Sequence, residues 1–129
     1  MKYLKRFENL KEDNSEILSD LKDILSDLTD DDFDIEIIDK EKRKNQSGDW
    51  DNIRIRFIKI NGRYCTEFEL SEIKDYVKRI IVYMRNNDFK LKYIYAFKQQ
   101  NMSKDFNLTI DIDQWDLNMK VFGINFYFD

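Results

Sequence analysis

The chain has 129 residues, and with 42% hydrophobic and 37% charged residues it suits one domain that buries a core but is too polar for a membrane protein. It has no His, no Pro, 3 Gly and 1 Cys, which excludes imidazole-assisted nucleophiles, imidazole-ligated metals, Gly-rich phosphate loops and an internal disulfide framework. Its 22 bases and 26 acids give a net charge of −4; no apolar run approaches a bilayer span and no secretory apolar segment follows Met1, so the expected location is intracellular or inside a particle.

The small net charge hides segregation along the chain. Residues 12–39 hold 12 acids and 1 base, whereas residues 40–104 hold 16 bases and 8 acids. Two faces of opposite sign are expected.

In chain order, residues 1–12 read as an N-terminal extension and 13–129 as a single α+β domain. From Ser15 the apolar residues Ile17, Leu18, Leu21, Ile24, Leu25 and Leu28 recur every three or four positions, predicting an amphipathic helix. Its outer face carries Glu16, Asp20, Asp23 and Asp27; Ser15, or Asp13 with Glu16, caps its start, and Thr29-Asp30-Asp31-Asp32 ends it. Phe33, Ile35 and Ile37 then alternate with Asp34 and Glu36 as a half-buried strand. Residues 39–52, including Lys40, Lys42, Arg43 and Lys44, read as a basic polar loop.

Asn61-Gly62 between two alternating runs predicts a hairpin. A two-residue turn there sets Ile60 against Arg63, Arg56 against Glu67, Arg54 against Glu69, and Cys65 against Ile58, leaving one face salt-paired and wet. A second helix from Ser71 places Ile73, Tyr76, Val77, Ile80, Ile81 and Met84 on one stripe, with Lys74, Lys78, Arg79 and Arg85 around it. Strands are predicted at 89–98, with Tyr93, Tyr95 and Phe97 toward the core, and at 106–113. The last strand, about 119–128, is apolar on both sides in its second half and is expected to be central.

An offset of 56 places Asp32-Phe33 on Asp88-Phe89 and Ser15-Glu16-Ile17 on Ser71-Glu72-Ile73. The expected fold is therefore α+β: a mostly antiparallel sheet of about six strands with two helices on one face, open to a tandem α-β-β-β pseudo-repeat. An acidic first helix beside a basic second one is expected to neutralise part of the charge between the halves.

No catalytic residue, cofactor or metal is expected. Asp111, Asp113 and Asp116, with Asp105 nearby, resemble a Mg²⁺-holding strand, but the same alternation describes any wet strand face and no supporting Lys or Gly-rich loop accompanies it. Asp30-Asp31-Asp32 lacks the Gly and distal Glu of a calcium loop. The basic patch of Lys40, Lys42, Arg43 and Lys44, with Arg54, Arg56, Lys90, Lys92 and Lys98, suggests phosphate contacts, with Trp50 or Tyr64 stacking on bases. The hairpin register assigns Arg54 and Arg56 to acidic partners, which weakens that reading. The acidic surface of Glu16, Asp20, Asp23, Asp27, Asp30, Asp31 and Asp32 can instead imitate nucleic-acid phosphates in front of a basic protein.

The opening residues Met1-Lys2-Tyr3-Leu4-Lys5-Arg6-Phe7-Glu8 resemble the start of small proteins of large contractile-tailed phages, and Leu10-Lys11-Glu12 resembles the cleavage motif of their capsid-targeted internal head proteins. That resemblance implies removal of a targeting segment after Glu12, and location in the host cytoplasm or the virion. The abundance of Lys, Asn, Asp, Ile, Phe and Tyr also suits an AT-rich phage genome. The expectation is a non-enzymatic phage accessory protein that binds a protein, such as a basic host nuclease or defence complex, with Trp50 or Trp115 as exposed aromatic anchors. The alternative is a virion or assembly component acting structurally, and a homodimer is expected if the sheet carries a further apolar face.

Overall fold

In the computed structural model, residues 15–39, 53–102 and 104–129 are described. The N-terminal extension with its Glu12 motif, the basic patch Lys40, Lys42, Arg43 and Lys44, and Trp50 lie outside the described residues.

The first predicted helix forms as two pieces, α1 (Ser15–Ile24) and α2 (Ser26–Asp30). Backbone bonds still cross the break, from Leu25 N to Leu21 O and from Thr29 N to Leu25 O. The Ser26 and Thr29 hydroxyls donate to carbonyls three residues back, on Asp23 and Ser26, competing with the helical ladder and bending it. The apolar stripe stays continuous through the break: Ile17, Leu21, Leu25 and Leu28 are all buried.

Asp32 then takes a left-handed φ of +71°, turning the chain into buried Phe33, and Asp88 takes +69° ahead of buried Phe89. A short polar Asp tolerates this region at low cost. The offset of 56 therefore marks a repeated helix exit. It follows α3 (Lys74–Asn86), whose Val77, Ile80 and Met84 are fully buried. Ahead of α3, the segment predicted to begin the helix is a 3₁₀ turn (Leu70–Glu72) closed by a capping box between Glu69 and Glu72.

The strands are β1 (Phe33–Asp39), β2 (Ile53–Asn61), β3 (Tyr64–Thr66), β4 (Phe68–Glu69), β5 (Leu91–Phe97), β6 (Asp105–Leu108), β7 (Lys120–Val121) and β8 (Gly123–Phe128). Six form an antiparallel sheet in the order β1-β2-β8-β5-β6, with β3 also on β2, while β4 and β7 pair separately. The fold is α+β. The predicted central position of the last strand is observed: β8 lies between β2 and β5. The repeat does not extend to strand order. In the first half the second strand, β2, is flanked by the other two; in the second half the first strand, β5, is flanked by β6 and β8.

Across the sheet, Ile37, Ile55, Phe126, Ile94 and Leu108 form one row of paired residues, and Ile35, Phe57, Ile124, Ala96 and Phe106 form the next. These rows meet the buried stripes of α1, α2 and α3 in one hydrophobic core, so these three helices lie on the same face of the sheet.

Three expectations are corrected. The hairpin register is shifted by two: Asn61 pairs with Tyr64 and Ile60 with Cys65, so Gly62 (φ +66°) and Arg63 form the loop. Glycine falls at the first loop position, where a primed turn needs positive φ. A shift of two preserves the faces, but the ladder stops at Lys59–Thr66, and neither Arg56–Glu67 nor Arg54–Glu69 forms. On β5 it is Ile94 and Ala96 that face the core, while Tyr93 is 42% exposed and Tyr95 half-buried. A register irregularity between Leu91 and Tyr93 absorbs one residue of the alternation. Finally, β6 ends at Leu108, and Asp111 and Asp113 do not alternate on a strand: Asp111 caps, and Asp113 lies in, a 3₁₀ turn (Ile112–Gln114).

Candidate functional site

The acidic side is assembled from elements adjacent in sequence. Its periodicity turns the apolar residues of α1 and α2 inward, leaving Glu16, Asp23, Asp27 and Asp30 exposed; Asp31 and Asp32 in the following turn are exposed too. Asp20 is half-buried, and its Oδ2 accepts a 2.6 Å hydrogen bond from the Tyr83 hydroxyl of α3. Burial, then the bond to Asp20 and the Asp20 and Glu16 charges, push Tyr83 ionisation well above its ordinary range. Asp20 thus ties the two helices together rather than facing a partner.

The expected neutralisation of α1 by α3 is not what the lysines of α3 do. Lys78 Nζ lies 2.6 Å from Asp113 and Lys74 Nζ 4.0 Å from the same carboxylate, while Arg79 stacks on Tyr76 at 5.3 Å. The hydrogen bond to Lys78, followed by its charge, lowers the Asp113 pKa; the same bond raises that of Lys78. Asp111 accepts from Asp113 N at 3.2 Å and Asp116 from Asn118 N at 3.1 Å. These carboxylates hold turns and lysines. Among the described residues no three potential metal ligands cluster.

Where α2 meets β1, an open cleft of about 500 Å³ is lined by Leu28, Asp30, Asp31, Asp32, Lys59 and Glu72, among others. Lys59 Nζ bonds Glu72 at 2.7 Å and lies 5.5 Å from the Phe33 ring centroid. For Glu72, burial of the carboxyl opposes ionisation, but the Lys59 hydrogen bond, the Glu69 N–H and the Lys59 charge together outweigh it and lower the pKa. A folded-state pKa below the unfolded value means that the ionised carboxylate stabilises at neutral pH and that this contribution fades as pH falls through the folded value. Glu72→Gln is therefore expected to lose stability at pH 7, with the gap to the parent narrowing toward pH 3; urea titrations at the two pH values measure it.

The face of the sheet opposite α1, α2 and α3 carries a second arrangement, which local sequence patterns do not reveal. Arg54 lies opposite Tyr127 and Arg56 opposite Asn125. The Arg54 guanidinium stacks 4.7 Å above the Tyr127 ring, with its buried Nε making no hydrogen bond. Arg56 Nε donates to Asn125 Oδ1 at 2.9 Å, and Asn125 Nδ2 lies 3.4 Å from the Tyr127 hydroxyl. Tyr95 meets Tyr127 edge-on at 5.5 Å, and Tyr93 lies tilted against Tyr95 at 6.0 Å. Both arginines are thus engaged within the sheet. The sequence does mark the place: Asn125 is the one residue in Ile124–Phe128 that is neither aliphatic nor aromatic.

Trp115 is not an exposed anchor. It is 7% exposed, packs 6.4 Å from Phe126, and its Nε1 donates to Thr109 O at 3.0 Å. Among the described residues, no helix is long and apolar enough to cross a membrane. No family model matches the chain, and no curated protein or solved structure is significantly similar to it.

Proposed function

We propose that this chain is a small phage-encoded, non-enzymatic accessory protein that binds a protein with a basic surface, such as a host nuclease or another nucleic-acid-handling enzyme of a defence complex. The observation that carries this reading is the exposure of Asp23, Asp27, Asp30, Asp31 and Asp32 on one side, while Lys74, Lys78 and Arg79 of the basic helix engage Asp113 and Tyr76 instead. Clustered exposed charge of one sign steers a partner of opposite sign and speeds encounter, most strongly at low salt. The phage assignment is supported by the opening residues and the composition.

Affinity capture from host lysate tests the reading. The parent chain is expected to retain a nucleic-acid enzyme at low salt and release it as salt rises. Asp23→Lys/Asp27→Lys/Asp30→Lys, changing only exposed positions, is expected to lose it. Capture of no such enzyme, or capture indifferent to the reversal, counts against the proposal.

A further inference from the structure

The first strand of the sheet has an open edge. β1 pairs with β2 along all seven of its residues, and among the described residues no strand pairs with its other side. An unpaired edge offers a row of main-chain donors and acceptors, and long open edges invite pairing unless charge or cover prevents it. Here the two faces of the strand differ. Asp34 and Glu36 point away from the core and are exposed; Ile35 and Ile37 point to the core face and are only partly buried, and among the described residues no strand lies beyond them.

This pattern selects among occupants. Antiparallel pairing of β1 with a second copy about Ile35 sets Asp34 against Glu36 twice, and pairing about Glu36 sets that residue against itself. Like charges directly opposite destabilise a ladder, whereas opposite charges stabilise it. In both of these registers the edge disfavours its own copy, and at Asp34 and Glu36 it favours a cationic strand. Beyond Phe33 the acidic side continues through Asp32, Asp31 and Asp30 beside the cleft, extending the same preference past the end of the strand.

We propose that the outer edge of β1 accepts an extended Lys/Arg-rich segment of a protein partner as an added strand. Its cationic side chains meet Asp34 and Glu36, its intervening apolar side chains cover Ile35 and Ile37, and a basic flank lies over Asp30–Asp32. Main-chain hydrogen bonds supply affinity and the alternation supplies specificity. The proposal rests on the reading of this chain as a binder of basic proteins and names the mode.

The test uses the full chain and a labelled, end-capped nine-residue peptide alternating Lys and Val. Binding by fluorescence anisotropy is expected, with slowed amide hydrogen exchange confined to 33–38. A peptide of the same composition with its Lys and Val in separate blocks is expected to bind about tenfold more weakly, as is one of the two peptides N-methylated at alternate residues, since each loses main-chain or cross-strand pairs. Asp34→Lys/Glu36→Lys is expected to abolish binding, and Asp34→Asn/Glu36→Gln to weaken it without the repulsion. Equal binding of the alternating, blocked and N-methylated peptides would overturn strand addition, as would undetectable binding of the alternating peptide. Lysate capture separates the two claims. If Asp23→Lys/Asp27→Lys/Asp30→Lys releases the captured enzyme but Asp34→Lys/Glu36→Lys does not, the basic-partner reading stands and the edge assignment falls; if no basic protein is captured, the broader reading falls.

Discussion

Phe126→Ala is expected to destabilise the protein by about 3–5 kcal/mol, the usual cost of deleting a large buried aromatic. Phe126 is fully buried on β8, opposite Ile55 on one side and Ile94 on the other. Its ring lies 5.3 Å from Phe57 and 6.4 Å from Trp115. Removing it opens a cavity where both sheet neighbours and Trp115 converge, and these paired strands cannot collapse into the space without breaking their ladders. Against the roughly 5–15 kcal/mol available to a typical domain, the loss lowers the melting temperature by about 10–20 °C. Phe126→Leu, which keeps most of the volume, is expected to cost clearly less. Urea and thermal unfolding of the two variants measure the difference, and equal costs would show that this position is not the packing centre.

Asn125→Ala is expected to cost about 1.5–3 kcal/mol, the range for losing a hydrogen bond to a charged group. Asn125 is 2% exposed and accepts from Arg56 Nε at 2.9 Å. Without it, a half-buried guanidinium loses its acceptor in the middle of the sheet, where water reaches it poorly. The coupling predicts non-additivity: in an Arg56→Met background the same Asn125→Ala change should cost markedly less, because no stranded cation remains. Unfolding free energies of the four members of the cycle test this, and an unchanged cost in both backgrounds would show that the pair is not coupled.

Both positions illustrate what was readable in advance. The apolar character of β8 pointed to a central strand, and two-sided contact is what a central strand makes. Asn125 interrupts that run, yet its meaning depended on Arg56 arriving opposite it across a register that no local rule fixes. Asn61-Gly62 marks the hairpin, but its loop begins one residue later. The β2–β3 ladder ends at Lys59–Thr66 and β8 pairs with the rest of β2, so Arg54 and Arg56 meet Tyr127 and Asn125 rather than the expected acidic partners. The clean alternation of 89–98, with Lys90, Lys92 and Lys98 on one face, points Tyr93 and Tyr95 inward; the irregularity beside Leu91 and the pairing with β8 turn Ile94 and Ala96 inward instead. The acidic side was more legible, since exposure on an amphipathic helix follows from spacing alone. The exception was Asp20, whose partner Tyr83 lies 63 positions away.

The sequence by itself determined the elements whose physics is local. These are the two amphipathic helices, the repeated Asp-Phe exits at Asp32 and Asp88, the alternation of β1, and the segregation of charge that makes one side acidic. Tertiary structure decided which strands are neighbours, which face of β5 is buried, and where each arginine and lysine finds its partner. The physical reason is that helix periodicity and turn chemistry act over a few residues. Sheet register, edge position and ion pairing instead join residues far apart in the chain, and are chosen by the collective burial of the core.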